Sequence, residues 1–489
     1  MVWGRSANAI MAGQKRYWPP AFALVVLLGA CASEPARLEP DVPFAAKFDH
    51  ASVRPESDLS RWWARFGSPA LTRLVDQADV SNPDLAAASA RILQADAQAR
   101  IAGAALVPAL TYSADGSRSQ SSGTTSKRAG ILSPSLRNSY SSALAASYEL
   151  DVWGRNRDLI ASAKADIEAA IYAREVIRLS GRAALVNAWL SHAAARDRLT
   201  LATENLQNAE RILNVIRERL KVGTGTALDL AQQESLVANQ RAALPDLRQM
   251  LETTRGTIAL LLGRPPEGFA LAAPSIRALR APAIQPGLPA SLLIRRPDIR
   301  QAEAQLLGAK ADLAAARKAL LPSIQLTGQG GFASAMLKNL LRPESGIWSL
   351  AAGLTQPIFE GGRLQAGVDL AAAREQELLE TYRKAIVSAL VDVEMALVAV
   401  RESAAKEAAE GVVVQKAREA FRLSEERLRL GTIDLQTLLN TQATLFQAEE
   451  ALIQSRLARL QAVVSLFQAL GGDFVAREPA RMASTGAGE

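Results

Sequence analysis

Leu321-Pro322-Ser323-Ile324-Gln325-Leu326-Thr327 opens the stretch around which the chain is organised, residues 323–356 and the long helix predicted after them. A closely similar pattern occurs earlier, at Leu106-Val107-Pro108-Ala109-Leu110-Thr111. After each copy come a polar loop, a second segment of alternating residues, a Gly-Arg pair and a very long Ala-rich run. The pattern predicts two copies of a unit made of two strands and two long helices.

Two pairs of landmarks are separated by the same number of residues. Gly154-Arg155 recurs as Gly362-Arg363, and Gly223-Thr224 recurs as Gly431-Thr432, so 362 minus 154 and 431 minus 223 both give 208. One offset at two distant points indicates an internal duplication. The 489 residues are therefore expected to form two halves of one architecture rather than several unrelated domains.

Composition narrows the class of protein. Hydrophobic residues make up 49% of the chain but aromatic residues only 5%, and much of the apolar share is Ala, which favours closely packed helices. The net charge is +7, and residues 1–30 hold three basic residues and no acid, so the chain without them carries 7 − 3 = +4. No Lys/Arg-rich run with interleaved aromatics is present, so no nucleic-acid partner is expected.

The N-terminus has the features of an export signal. Lys15-Arg16 precedes an apolar run over residues 21–28, which predicts a signal peptide over 1–30 that is too short to span a bilayer. Cys31 is the only cysteine, which excludes an internal disulfide or a cysteine metal cluster. The tetrad Leu28-Gly29-Ala30-Cys31 resembles a bacterial lipobox, which implies cleavage before Cys31, its lipidation and, with Ala32 next, sorting to the outer membrane. The alternative is an ordinary signal peptide with an incidental cysteine.

Pro-rich and Gly-rich stretches separate the predicted segments that follow. These are a lipid-anchored arm over 31–68, a first repeat over 69–263, a linker over 264–294, a second repeat over 295–472 and a tail over 473–489. The first repeat is expected to contain strands at about 107–118 and 138–152 and helices at about 154–222 and 226–262. The second is expected to contain strands at about 322–334 and 346–358 and helices at about 362–430 and 434–470.

All four predicted strands alternate between apolar and polar or small side chains. In the last of them, Trp348, Leu350 and Leu354 alternate with small or hydroxyl residues. Period two with one polar face is typical of a strand that has lipid on one side and water on the other, and a soluble sheet covering a core is the alternative. Four strands cannot close a barrel, and open edges are not tolerated in lipid, so other copies of the chain are expected to complete it.

The long helical runs keep a narrow apolar seam. Val176, Leu179, Ala183, Val186 and Leu190 step by three and four residues, and the second copy and both return helices show the same steps. Such steps are typical of coiled coils. A continuous helix over 154–222 would be about 100 Å long at about 1.5 Å per residue.

A glycine follows a basic run at the tip of each predicted helical hairpin. Gly223 and Gly431 are expected to end their helices with left-handed backbone. Arg219 and Arg427, just before them, face the negative ends of the helix dipoles. Stabilising the helix ends and docking a partner protein remain two open roles for these basic residues.

The ordered motifs resemble those of the TolC-like outer-membrane efflux proteins, in the OprM/NodT-like lipoprotein branch. The motifs that carry the resemblance are Trp62-Trp63-Ala64-Arg65-Phe66-Gly67, Asn82-Pro83-Asp84-Leu85, Glu149-Leu150-Asp151-Val152-Trp153-Gly154-Arg155, Arg295-Arg296-Pro297-Asp298-Ile299-Arg300, Leu321-Pro322 and the two hairpin tips. The resemblance extends over nearly all of residues 31–472.

The resemblance implies a membrane α+β fold. A homotrimer would form an outer-membrane β-barrel, with four strands per chain, continued by a long periplasmic α-helical coiled-coil barrel. The implied partners are outer-membrane lipid, a periplasmic adaptor protein and an inner-membrane pump, usually of the RND type. The resemblance also supports adaptor-docking candidates at the tips, namely Arg219, Leu220, Gly223, Arg427, Leu428 and Gly431.

Relatives in this family narrow the periplasmic aperture with acidic residues just after the tip glycine. Asp229 is the gating candidate in the first repeat. Thr437 and Asn440 stand where the second repeat would carry its acids, so the resemblance to a strongly acidic aperture is incomplete. Asp229 can also serve to start its helix.

No catalytic constellation accompanies these motifs. His50 and His192 are the only histidines, and both are expected to be solvent-facing or packed. No P-loop or metal-ligand spacing is present, so neither an enzyme nor a cofactor is expected, apart from covalent lipid on Cys31. The implied function is the outer-membrane channel of a tripartite efflux system that passively conducts small molecules. A structural envelope-tethering lipoprotein without conduction is the alternative, and it would need no polar strand faces.

Overall fold

Residues 45, 47–50, 58–122, 127–128, 131–132 and 136–474 are described by the computed structural model, and all of them belong to the unit Pro43–Glu489. The predicted signal peptide, Cys31 and the tail beyond residue 474 lie outside the described residues. Long helices and one small antiparallel sheet make up most of the described chain. Within these ranges, no helix is both long and apolar enough to cross a bilayer.

The main sheet is antiparallel and has the strand order β1-β4-β5-β6. The strands are β1 Ala109–Gln120, β2 Lys127–Arg128, β3 Ile131–Leu132, β4 Leu136–Leu150, β5 Ser323–Ser334 and β6 Gly346–Thr355. β2 and β3 form a separate ribbon between the two strands predicted for the first repeat. Strands of two residues are too short to show alternation, so the sequence does not predict them.

The register of the sheet places the apolar residues of all four strands on one face. Tyr112 lies opposite Leu144, Tyr148 opposite Leu326, and Leu350 opposite Gly328. Because side chains alternate across a strand, their neighbours two residues away share that face. The opposite face carries Ser, Thr, Gln, Gly and Ala for most of its length.

Two helices of 67 residues each dominate the rest of the fold. The helices are α1 Pro69–Ser81, α2 Pro83–Gly103, α3 Arg155–Lys221, α4 Ala227–Leu261, α5 Leu292–Arg295, α6 Pro297–Lys318, α7 Arg363–Arg429 and α8 Leu435–Ala469. Short 3-10 turns lie at Trp62–Phe66, Ala104–Leu106, Ile276–Ala278, Pro289–Ser291, Leu337–Asn339 and Pro343–Ser345. α3 pairs with α4 and α7 with α8 as two hairpins.

The apolar seams of the long helices are where the chain buries its core. Ala183, Val186 and Leu190 of α3 are fully buried, as are Ile386 and Val393 of α7. These positions recur every three or four residues, which keeps them on one side of each helix. The seam therefore holds the helices together, and between residues 182 and 195 α3 is mostly buried on its other faces as well.

The N-terminal segment packs onto the middle of the helical body. Trp62 and Trp63 are fully buried, and the Trp62 ring stacks on Phe467 of α8 with centroids 4.9 Å apart. The guanidinium of Arg182 in α3 lies 4.6 Å from the centroid of the Trp63 ring. These aromatic contacts attach the N-terminal segment to both long hairpins.

Candidate functional site

The polar face of the sheet is built from small side chains that lie close together. Ala143 of β4 is opposite Gly331 of β5 and is nearly inaccessible. A Cβ atom at residue 331 would lie 2.5 Å from Ala143 Cα and 2.8 Å from Ala143 Cβ, so only glycine fits. Hydroxyl and amide groups on this face can hydrogen-bond water along its length.

The apolar face and both edges of the sheet are uncovered in a single chain. Every residue of β1 and β6 is exposed, and Trp348 of β6 is 83% exposed. β1 pairs only with β4, and β6 only with β5, within the described ranges. One chain therefore leaves a large apolar surface and two rows of unpaired backbone groups without a partner.

A compact corner joins the sheet to the helices. Gly154 precedes α3 with φ 81°, and Gly362 precedes α7 with φ 82°, which explains the repeated Gly-Arg pair. The Asp151 carboxylate accepts backbone N–H bonds from Asn156 and Arg157, each 3.0 Å long, and so stabilises the first turn of α3. Trp153 Nε1 donates to the Pro322 carbonyl oxygen at 2.7 Å. The corner of the first repeat is thus fastened to the first strand of the second repeat.

The two hairpin tips have the same backbone hydrogen bonds. Thr224 N donates to the Arg219 carbonyl oxygen at 2.9 Å, and Gly223 N donates to that of Leu220 at 3.0 Å. This pair of bonds is the Schellman arrangement that ends a helix. In the second tip, Thr432 N and Gly431 N donate to the carbonyl oxygens of Arg427 and Leu428 at 3.0 and 3.1 Å.

The structure thus brings the six tip candidates together at two equivalent helix ends. Their backbone groups are used for capping. The side chain of Arg427 is exposed, while those of Arg219, Leu220 and Leu428 are half-buried. A partner protein could therefore reach the basic side chains without disturbing the caps.

Asp229 is part of a capping box at the start of α4. Its carboxylate accepts from Thr226 N at 3.0 Å, and its own N–H donates to Thr226 Oγ1 at 3.1 Å. The second repeat contains the same two residue types in exchanged positions. Asp434 is the N-cap residue of α8 there, and its carboxylate accepts from Thr437 N at 2.9 Å and from Thr437 Oγ1 at 2.5 Å.

This exchange explains why the sequence shows no acid at Thr437. Each hairpin still carries one aspartate at the start of its return helix. When the repeats are aligned, the two aspartates stand about one helical turn apart. The hydrogen bonds from the Thr437 hydroxyl and backbone N–H lower the pKa of Asp434 below its usual value. Asn440 is exposed and accepts a hydrogen bond from Gln436.

Ion pairs inside the hairpins repeat with their charges exchanged. Arg241 of α4 contacts Glu210 of α3 at 2.7 Å, whereas Arg418 of α7 contacts Glu449 of α8 at 2.5 Å. These are equivalent positions, because 418 minus 210 and 449 minus 241 both give 208. The duplication therefore preserves the contact but not the identity of the residues.

A different ion pair joins the two hairpins to each other. Arg211 Nη2 of α3 lies 3.6 Å from Glu425 Oε1 of α7. An apolar cluster lies near it, in which Ile212 and Ile216 of α3 pack with Leu435, Leu438 and Leu439 of α8. Sequence analysis does not find this contact, since its members lie in different repeats and no local pattern links them.

Neither histidine forms a catalytic arrangement. His50 Nδ1 lies 2.9 Å from Glu394 Oε2 of α7, and His192 Nδ1 lies 3.0 Å from Thr254 Oγ1 of α4. Burial lowers the pKa of His192, so this side chain is a neutral packing group near pH 7. Within the described ranges, no three His, Cys, Asp or Glu side chains are grouped as metal ligands.

An antiparallel sheet with one apolar and one polar face, continued by long paired helices, is typical of channel-forming membrane proteins. Residues 74–264 and 288–472 match the family Outer membrane efflux protein. The chain belongs to this family.

Individual relatives match over almost their whole length. The pyoverdine export outer membrane protein OpmQ of Pseudomonas aeruginosa is 40% identical over 452 residues, which cover 91% of this chain and 95% of that protein. The outer membrane protein OprJ of the same species is 34% identical, over 92% of this chain and 95% of that protein. The open-state structure of the Neisseria gonorrhoeae MtrE outer membrane channel is 29% identical, with a TM-score of 0.82 over 91% of this chain and 98% of the MtrE chain.

These likenesses place the chain in the outer membrane, with a large periplasmic part. Its relatives are channel proteins in a family that is not enzymatic, and the chain is a transport protein of the same kind.

Proposed function

We propose that three copies of this chain form the outer-membrane channel of a tripartite efflux system. The channel passively conducts small molecules to the exterior, and the energy comes from an inner-membrane pump of the RND type. A periplasmic adaptor protein contacts the hairpin tips and links the pump to the channel. Lipid on Cys31 anchors each copy in the outer membrane.

One observation carries the proposal, namely a sheet with one apolar and one polar face and two open edges. A four-stranded sheet in lipid must pair its edges, because each unsatisfied backbone group there costs several kcal/mol. Pairing with other copies satisfies both edges and turns the apolar faces outward to lipid. The polar faces then line a water-filled path that the long helices continue into the periplasm.

The name of one relative supplies a first cargo to test. The 40% identical OpmQ protein is named for pyoverdine export. We propose that a cargo of this kind passes through the present channel, since a polar lumen lined by small side chains selects by size more than by specific contacts.

Particle imaging of the detergent-extracted protein, followed by efflux measurements, tests the architecture. We expect trimers with a detergent belt near one end and helices extending well beyond it. Cells that lack their own outer-membrane channel should regain pyoverdine or dye efflux when this chain is expressed with a pump and an adaptor. Monomers without a closed belt would contradict the proposal.

Charge reversal at the tips tests adaptor docking. Arg219→Glu together with Arg427→Glu should weaken adaptor binding at least tenfold in a titration at low salt, because two positive charges per copy become negative. Arg401→Glu is the matched control, since Arg401 is an exposed α7 residue 26 positions before Arg427. Binding that stays at the wild-type level in the double variant would remove the tips as the docking site.

Two substitutions separate the charge of Asp229 from its capping role. Asp229→Asn keeps an oxygen that can accept from Thr226 N but removes the charge, whereas Asp229→Ala removes both. If Asp229 lines the aperture, both variants should lower the preference for cations in single-channel recordings. An unchanged cation preference in Asp229→Asn would show that Asp229 only stabilises the start of its helix.

A further inference from the structure

The end of the sheet that is remote from the helices carries an excess of positive charge. In the proposed channel the long helices extend into the periplasm, so the connections β1–β4 and β5–β6 at the other end of the strands face the exterior. Residues 116–138 contain four basic residues and no acid, and residues 335–345 contain two basic residues and one acid. Six basic residues less one acid give this outer end a net charge of +5 per chain.

The inner end of the sheet, where β4 meets α3, has no such excess. Three cations and three acids form ion pairs there, namely Arg155–Glu149 at 3.0 Å, Arg157–Asp151 at 3.1 Å and Lys318–Asp158 at 2.5 Å. At the outer end, none of the described residues forms an ion pair with Arg118, Lys338 or Arg342. The cations of the outer end are therefore available to an anionic partner.

Arg118 lies on the apolar face of the sheet, just beyond its aromatic residues. In the sheet register, Tyr112 is opposite Leu144, and Gly116 is opposite Tyr140. A Cβ atom at Gly116 would lie 3.4 Å from the Tyr140 ring, so this ring covers Gly116 on the apolar face. Because side chains alternate along a strand, Arg118 is on the same face, two residues further out.

The height of the apolar face places Arg118 at the level of lipid headgroups. This face extends along β4 from Leu150 to Tyr140, and 150 minus 140 gives ten residues, or about 33 Å along the strand. A strand tilt of about 40° reduces this length to about 25 Å, which is the height of the apolar band of outer-membrane barrels. Arg118 lies two residues beyond the band, or about 5 Å higher at the same tilt.

The connection between β5 and β6 starts at the same level. Ser334 at the end of β5 lies opposite Tyr140, and β5 is two strands, or about 10 Å, from β1. Ser345 Oγ donates to the Asn339 carbonyl oxygen at 2.8 Å, which joins the two 3-10 turns of the connection. The connection is thus a compact segment just outside the apolar face.

Basic and apolar side chains are exposed side by side on this connection. Met336, Leu337 and Leu341 are 51%, 64% and 75% exposed. Lys338 and Arg342 each follow one of the two leucines in the chain and are exposed as well. Apolar and basic residues exposed together are typical of a segment that lies in a membrane interface.

We propose that Arg118, Lys338 and Arg342 form a rim surface that binds the phosphate groups of an anionic lipid in the outer leaflet. Arginine fits phosphate oxygens with paired N–H groups, and lysine adds a third positive charge. The exposed apolar residues of the β5–β6 connection contact the acyl chains of the same lipid. The rim surface adds a lipid site to the proposed channel and rests on the proposed function for the orientation of the sheet.

Arg137 provides a comparison at the same height on the other face. Arg137 lies opposite Ser119, next to the Arg118–Asn138 pair, so its side chain is on the polar face. Both arginines are exposed. An anion that is attracted only by charge at the channel mouth would interact with Arg137, whereas a lipid outside the sheet contacts Arg118. The two residues therefore separate a lipid surface from general attraction of anions.

Native mass spectrometry of the detergent-extracted full chain measures bound lipid directly. The probes are lipid A with two phosphates and lipid A with one phosphate, and the first should bind more tightly. Arg118→Gln combined with Lys338→Gln and Arg342→Gln should weaken binding of the two-phosphate form at least tenfold, because each basic residue near an anionic headgroup adds to the affinity. Replacing both arginines by lysine keeps the charge and should retain binding within about threefold.

Arg137→Gln is the matched control and should change binding by less than about twofold. A wild-type chain that does not bind lipid A, a triple variant that binds as the wild type does, or an equal loss in Arg137→Gln would overturn the rim surface. Efflux in cells that express the wild-type chain tests the proposed function separately. The expected binding pattern without efflux would support the rim surface and contradict the channel, and efflux with unchanged binding in the triple variant would do the reverse.

Discussion

Backbone conformation, and not contact with a neighbour, requires glycine at the two hairpin tips. Gly223 has φ 77° and Gly431 has φ 72°, and a Cβ atom at either residue would meet no atom within 4 Å. Left-handed backbone destabilises a residue with a Cβ by about 1–2 kcal/mol. Gly223→Ala should therefore open its tip more often, and we expect hydrogen exchange at the Thr224 amide to become about tenfold faster.

Gly411→Ala is the matched control for this prediction. Gly411 also has free space around its missing Cβ, but it lies inside α7 with ordinary helical backbone. Alanine is favoured over glycine there by about 0.5–1 kcal/mol, so exchange in α7 should slow slightly. Equal effects of the two substitutions would show that φ is not the cause.

Sequence patterns predict single residues well where one local rule decides. Gly223 and Gly431 follow basic helix ends, and both are the left-handed residues expected there. The same rules assign Asp229 to its helix start and place the start of the last helix near Asp434. The hydrogen bonds that Asp229 and Asp434 accept at their helix starts are visible only in the structure.

At the scale of elements, Arg182 joins three separate parts of the fold to α3. Its guanidinium contacts Asp79 of α1 at 2.5 Å and Asp473 after α8 at 2.6 Å, and it lies over Trp63. Burial alone would lower the pKa of Arg182, but the two carboxylates outweigh burial and raise it. The two carboxylates therefore favour the charged form of this side chain.

Arg182→Ala should destabilise the protein by about 3 kcal/mol, because two partly buried carboxylates lose their partner. Thermal unfolding of the detergent-solubilised protein measures this loss. Arg100→Ala removes a pair with Asp96 whose side chains are 75% and 53% exposed, and it should change stability by less than about 0.5 kcal/mol. Similar midpoints for the two variants would contradict a central role for Arg182.

Long elements follow from the sequence more readily than short ones. The start of α3 is set by a left-handed glycine and its end by a Schellman motif, so its predicted bounds are close to Arg155–Lys221. α1 and α6 lie where the sequence analysis predicts no helix. Many of the buried residues of α6 are Ala, which weakens the apolar periodicity that reveals a helix.

At the scale of the whole molecule, the sequence reveals the duplication, because two pairs of landmarks are both separated by 208 residues. The sequence does not reveal the contacts between the repeats. The two hairpins meet through the Arg211–Glu425 pair, the apolar cluster beside it and, further along α3, the Arg198–Glu450 pair at 2.5 Å. We propose that the tips open when the hairpins separate, so that the Arg211–Glu425 pair favours the closed arrangement. An exposed pair contributes about 0.5 kcal/mol, and three pairs in a trimer sum to about 1.5 kcal/mol, or about a tenfold shift in population.

Glu425→Ala should therefore raise the open probability of the partner-free channel in planar bilayers, by up to about tenfold at low salt and less at high salt. Glu234→Ala is the control, because Glu234 pairs with Arg217 inside the α3–α4 hairpin at 3.0 Å and does not hold the hairpins to each other. Exchanging the charges, with Arg211→Glu and Glu425→Arg, should restore closure if the pair acts directly. An open probability that rises equally in the control would instead show that any weakening of the helices opens the channel, and the closed state would then depend on the apolar cluster of Ile212, Ile216 and their α8 partners.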